Sequence, residues 1–283
     1  MIRLINASSL YFDEFEGDFV PPYAVLSHRW GARKDEVTSE DFQSGLKKDS
    51  PGFKKIDQFC KHASDTGRKW VWVDTCCIDK KSSAELSESI SSMFSWYQKA
   101  DICFAYLQHV ENAETWRESA WWKRGWTLQE LIAPDNVVFC DRAWREIGSK
   151  HGMANDIATL ANIPPRVLKV RGRYRHYTVA QKLSWAAGRA TTKPEDRAYS
   201  LLGLFHINMP LLYGEGTSAF QRLQIEILQK YSDESLFAWS RSSKGPHLVL
   251  AHTPDSFQGC GDMAPLSLQE ESESYARHQR RRA

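Results

Sequence analysis

Four short apolar runs mark the first half of the chain: YAVLS at 23–27, WVWVD at 70–74, DICFAYL at 101–107 and NVVFC at 136–140. They do not alternate apolar with polar, and they are rich in valine and aromatic residues. That is the pattern of strands buried on both faces, as in a parallel sheet. Between them the period changes to that of helices. In SSAELSESISSMFSWYQKA the apolar positions Leu86, Ile90, Met93, Phe94 and Tyr97 fall on one helical face, and Ser82 with Glu85 has the form of a capping box. In FKKIDQFCKHA the face is Phe53, Ile56, Phe59 and Cys60, and Gly67 offers a stop. Strand alternating with helix predicts a doubly wound α/β core over residues 1–150.

Beyond residue 150 the strand pattern ends. TVAQKLSWAAGRA, PEDRAYSLLGLFHI and TSAFQRLQIEILQKY all read as helices, the second with Pro194 placed for a first turn. Residues 151–240 are therefore expected as a helical extension packed on the core. From 241 to 283 serine, glycine, proline and charged residues accumulate, and a poorly ordered tail is expected.

Composition narrows the function classes. A 42% hydrophobic and 25% charged chain of 283 residues is an ordinary globular one, and its net charge of +2 makes no case for nucleic acid. The basic RHQRRRA at the C-terminus reads as a solvated tail. Six cysteines lie scattered with no CxxC pair, which fits reduced, buried thiols and no metal site. With no apolar leader and no run of about 18 apolar residues, a cytoplasmic protein without a membrane span is expected. Eleven tryptophans are many for this length, and they suit either a core or a pocket for a flat ligand.

Ligands of open parallel sheets bind beyond the carboxyl ends of the strands. Here those ends carry Ser27, His28, Arg29 and Trp30 after the first run, Asp74 and Asp79 after the second, and Asp141 after the fourth. Neither GxGxxG nor GxxxxGK[ST] occurs, which removes the usual dinucleotide and P-loop readings. Ser27, His28 and Asp74 have the letters of a triad, but adjacent strand residues point to opposite faces, which separates Ser27 from His28. On a helix expected over 119–132, Trp122, Trp126 and Glu130 share one stripe at the border of an apolar face, so Glu130 is partly desolvated. It is either a functional carboxylate or a border residue paired with Lys123 or Arg124. Glu88, opposite its helix's apolar stripe, reads as solvated.

PPYAVLSHRWG, WVWVDTCCIDKKSSAELSESISSMFSWYQKAD and RGWTLQELIAP resemble the three signature blocks of the HET domain, the heterokaryon-incompatibility module of filamentous fungi. The later KPEDRAYSLLGLFHINMPLLYGEG and FQRLQIEIL are similar to its helical continuation. The resemblance implies a TIR-like, flavodoxin-like parallel sheet, a role in cell death after fusion of unlike hyphae, and cleavage of NAD+ between nicotinamide and ribose. The TIR glutamate lies in a W-C-x-x-E segment, which maps onto Trp126 and Glu130, with Thr127 in place of the cysteine. The loop that gates the TIR pocket maps to Asp79–Ser83. Glu130 would be catalytic, with Ser27, Arg29, Trp30, Asp74, Asp79 and Trp126 binding substrate. A carboxylate near the ribose stabilises the oxocarbenium-like cation left when nicotinamide departs. NAD+ is then a substrate, with no cofactor or metal implied. Self-association and a receptor or incompatibility partner are the expected interactions. The alternative is a non-enzymatic module that oligomerises and recruits a death-pathway partner.

Overall fold

The computed structural model describes residues 1–240 and 249–263. All four predicted runs are strands: β3 (Tyr23–His28), β4 (Trp70–Val73), β5 (Ile102–Tyr106) and β6 (Val137–Cys140). They are mutually parallel, and β3 is buried at every position. Three strands that the pattern did not reveal extend the sheet antiparallel at its edges: β1 (Ile2–Asn6), β2 (Phe12–Phe15) and β7 (Glu146–Ser149). The full order is β2-β1-β4-β3-β5-β6-β7. Counted alone, the parallel strands run second, first, third, fourth, which is the open doubly wound order whose switch point lies between β3 and β5.

Register assigns the faces. Val25 pairs with Trp72 and Cys103, so these share one face with Ser27, while Leu26, Phe104, His28 and Tyr106 share the other. On the second face lies α2 (Pro51–Asp65), whose Phe59 meets Phe104 edge-on. It follows the short α1 (Ser39–Gln43), which a Thr38–Asp41 capping box starts. On the first face α3 (Ser83–Lys99) brings Tyr97 against Trp72. Ser82 caps α3 as expected, but the Glu85 carboxylate goes instead to Arg3 and to the Asp79 amide. Beside α3 lies α4 (Thr127–Ile132).

The single helix expected over 119–132 is broken. A 3-10 turn, Ala120–Lys123, is followed by an extended Arg124, and α4 starts only at Thr127. The cause is distant in sequence. The Gly125 amide donates to Ala190 (2.8 Å) and the Ala190 amide to Lys123 (2.7 Å), an isolated parallel bridge that helical geometry could not satisfy. A side chain at Gly125 would meet Thr191 at 2.5 Å.

The helical layer comprises α5 (Ala154–Ala161), α6 (Pro165–Lys169), α7 (Val179–Ser184), α8 (Asp196–Tyr199) and α9 (Ser218–Lys230). The expected helices shrink: α7 and α8 end early in turns, and α9 keeps nearly its predicted length. The stretch 249–263, expected within the poorly ordered tail, is folded. Phe257, Ala251 and Cys260 are buried, and the buried Gln224 side chain both donates to and accepts from the Ala251 backbone. Its sparse apolar residues suffice because Gln181 and Gln224 supply backbone-like partners. Residues 241–248 and 264–283, including the basic C-terminal stretch, lie outside the described residues. All six cysteines are buried free thiols. No helix of the described residues is long and apolar enough to cross a membrane.

Candidate functional site

Glu130 is 5% exposed, in the only full turn and a half that α4 possesses, facing the end of β3. The Ser27 hydroxyl donates to its Oε2, and Ser27 Oγ in turn accepts from the indole N–H of Trp121 at 2.8 Å. Strand alternation aims Ser27 at α4, and the 3-10 turn delivers Trp121 to the same place. Among the described residues Glu130 forms no ion pair, so pairing with Lys123 or Arg124 is not what holds it. Its partner is a neutral hydroxyl. Burial first, and then the negative charge of Asp74, push its pKa from 4.5 up to about 8, against the pull of Ser27, Arg124 and Arg189.

Asp74 stands just beyond β4, where its Oδ2 accepts from the Trp30 indole at 2.8 Å. Burial raises its pKa, while Lys80, Trp30 and Arg124 oppose the rise. Lys80 lies over the Trp30 ring, 3.7 Å from its centroid, so a base stacking on that face must displace the ammonium. The loop carrying Trp30 is anchored by the Gly31 amide on Glu36, itself paired with Lys55 at 2.9 Å.

His28 points to the opposite face from Ser27, as alternation requires, so the two form no nucleophile–base pair. Its Nδ1 is 3.9 Å from Asp74 Oδ1, and neither ring nitrogen has a hydrogen-bond partner among the described residues. Burial and the charges of Lys55, Arg124 and Lys80 hold it well below the ordinary histidine range, as a neutral ring.

Two expected site residues sit elsewhere. The Trp126 indole is bonded to Asp196 in the helical layer, because the break before α4 rotates it away from the Trp122–Glu130 stripe. Asp79 closes a local turn, accepting from the Lys81 amide at 2.9 Å. Arg29 is exposed beyond β3. A pocket of about 350 Å³ opens at the same edge of the sheet, lined by Tyr106, Gln108, His109, Glu111 and Arg142, and Glu130 is not part of its wall.

Two residues that sequence reasoning missed complete the arrangement. Trp121 is buried in the core, and its N–H serves Ser27. Arg189 comes from the helical layer. It is buried, and its Nη1 donates to Thr127 Oγ1 at 3.1 Å and to the Arg124 carbonyl at 3.0 Å. Thr127, where the W-C-x-x-E pattern has cysteine, shares its hydroxyl proton between the carbonyls of Trp121 and Arg124. No local signal singles out Arg189.

The heterokaryon incompatibility protein (HET) family matches residues 23–115, the stretch from β3 through β5 that forms the switch point. The chain is a HET-domain protein. Over 220 residues it is 40% identical to the vegetative incompatibility protein HET-E-1 of Podospora anserina, covering 74% of this chain and 16% of that protein. The HET-domain chain thus spans a small part of the length of that relative. A domain of unknown function (DUF8212) matches residues 218–279, from α9 onward. No solved structure matches the HET-domain chain. The family match ends at residue 115, so it includes Ser27, Trp30 and Asp74 but not Trp121, Glu130 or Arg189.

Proposed function

We propose that this chain is a TIR-like effector of heterokaryon incompatibility that hydrolyses NAD+ at the nicotinamide–ribose bond through Glu130. The observation that carries the reading is a buried carboxylate held by a hydroxyl at the carboxyl end of the strand beside the switch point. In the reaction the C–N bond breaks heterolytically, and its electron pair leaves with neutral nicotinamide. Water then captures the ribosyl cation and loses a proton. Ionised Glu130 stabilises the cation as it forms, and Ser27 and Trp121 fix the carboxylate's direction. A carboxyl titrating near 8 is largely protonated in the free protein at neutral pH. The positive pyridinium ring of the bound substrate favours its ionised form, which couples activation to binding.

Substrate would enter past Asp74 and Trp30, and Arg29, exposed beyond β3, would take the diphosphate. Self-association belongs to the same reading. Edge strand β2 is flanked by Tyr11 and Phe19, 75% and 87% exposed, a surface suited to a second copy. That surface is also what favours the second reading, a non-enzymatic module working through assembly.

The experiment is to incubate the purified protein with NAD+ and quantify free nicotinamide for wild type, Glu130→Gln and Glu130→Ala, across protein concentrations. Release by wild type with a loss of at least about 100-fold in both variants is expected. No release at any concentration defeats the enzymatic reading. Equal release by all three removes Glu130 from it.

A further inference from the structure

Arg189 follows α7 and a left-handed Gly188 (φ +71°), a turn that lets the chain double back behind α4. The backbone there is fixed by the Gly125–Ala190–Lys123 hydrogen bonds, so the guanidinium is delivered with little freedom. Its Nε donates to the Trp185 carbonyl at 3.0 Å and its Nη1 to Arg124 O and Thr127 Oγ1, while Nη2 is buried with no hydrogen-bond partner. Every acceptor it has is neutral. Carbonyls and a hydroxyl satisfy donors but cannot neutralise a charge, and a guanidinium stays protonated in proteins. A buried cation therefore needs an anion, and Thr127 and Glu130, one turn apart on α4, share a flank of that helix.

We propose that Arg189, supplied by the helical layer, is the enclosed counter-charge that favours the ionised form of Glu130, so that the site is complete only when the chain continues through residue 190. This rests on the reading of Glu130 as the reactive carboxylate. Arg189 is a positioning residue, since it acts through Glu130 and does not touch substrate. The groups that face Glu130 from each packed element are Ser27 on β3, Asp74 after β4, Tyr97 on α3, Cys103 on β5, Arg124 before α4, and Arg189. Of these, only Arg124 and Arg189 carry positive charge. Arg124 is partly exposed and screened by water, whereas Arg189 is enclosed, so its charge acts through little solvent. Burial works against the charged form of both groups, raising Glu130 to about 8 and lowering Arg189 to about 10, and each favours the charged form of the other against that burial.

The test reads the pair directly. In wild-type protein the side-chain ¹⁵N resonances of Arg189 should shift with pH in step with the Glu130 carboxyl, followed by ¹³C labelling. In Glu130→Gln they should be flat. Arg189→Gln keeps a donor for Thr127 and removes the charge. It should raise the Glu130 midpoint by about one unit or more, and shift the rising limb of nicotinamide release by the same amount. Arg189→Lys should restore most of that shift. Arg189 resonances insensitive to Glu130 in the wild type overturn the proposal, and that measurement needs no Arg189 variant to fold. So does a Gln variant with reduced stability but an unmoved Glu130 midpoint. Coupling without nicotinamide release at any pH keeps the charge pair and rejects the NAD+ reading. Release with an unshifted pH limb in Arg189→Gln keeps that reading and rejects the role given to Arg189.

Discussion

Ser27 Oγ stands between two buried partners, accepting from Trp121 Nε1 at 2.8 Å and donating to Glu130 Oε2. One hydroxyl thus ties β3, the 3-10 turn and α4 together, and it sets which oxygen of Glu130 remains for a ligand. Ser27→Ala strands an indole N–H and a carboxyl oxygen in the interior. The expected cost is about 1–3 kcal/mol, because unsatisfied buried groups keep their desolvation penalty. It is read from urea unfolding. If Glu130 acts as proposed, nicotinamide release falls about 100-fold as well, the usual loss when one aligned donor is removed. Unchanged stability would show that the relay does not exist in solution.

Burial of Glu130 makes stability depend on pH, with a sign that can be worked out. Its pKa goes from 4.5 in the unfolded chain to about 8 in the fold. Between these values the native state holds a proton that the unfolded chain has lost, so this group's contribution falls as pH rises and levels off above about 8. Glu130→Gln keeps an acceptor for Ser27 and removes the titration. The variant should therefore gain on wild type from pH 5 to pH 8, by about 3 kcal/mol in order of magnitude. Denaturant midpoints at several pH values check this, and parallel curves for the two proteins would refute it.

The helical layer is bound to the core at a contact that tolerates no added atom. A Cβ on Gly203 would lie 2.1 Å from Phe94 Cβ on α3, and Phe94 also packs edge-on against Tyr174. Gly203→Ala should cost about 1–3 kcal/mol through overpacking. Because the two parts share this contact and the Arg124–Ala190 bridge, one unfolding transition is expected by both calorimetry and tryptophan fluorescence. Two separate transitions would show that the core and the helical layer unfold independently.

What the sequence made legible followed from locality. β3 through β6 were readable because strands covered on both faces leave unbroken apolar runs, and α2, α3 and α9 because each exposes a full helical stripe. β2 and β7 are short and poorly buried, while β1 is largely buried but its apolar run is broken by Arg3. Ser27 could be named from its place at a strand end, and Glu130 from its helical stripe and the W-C-x-x-E resemblance. The broken helix could not, since its cause is a bridge to Ala190 far along the chain, and the same bridge removed Trp126 from the site. Arg189 was hidden for that reason too. Its role depends on what lies behind α4, and the local AAGRATT has no pattern that says so.

Asp74 offers the test that separates charge from contact. It raises the Glu130 pKa by like-charge repulsion, while Arg124 and Arg189 lower it. Asp74→Asn keeps an oxygen for the Trp30 indole and removes the negative charge, so Glu130 should ionise at lower pH. On the proposed mechanism the rising limb of kcat against pH moves down by about half a unit to one unit. Arg189→Gln moves it up. Any change in KM from lost substrate contacts is scored separately, because kcat reports the bound enzyme. Opposite displacements by two substitutions on different elements are what an electrostatic site predicts and a purely structural Glu130 does not. A limb that stays in place in both variants, or moves the same way, would mean that the carboxylate does not set the rate.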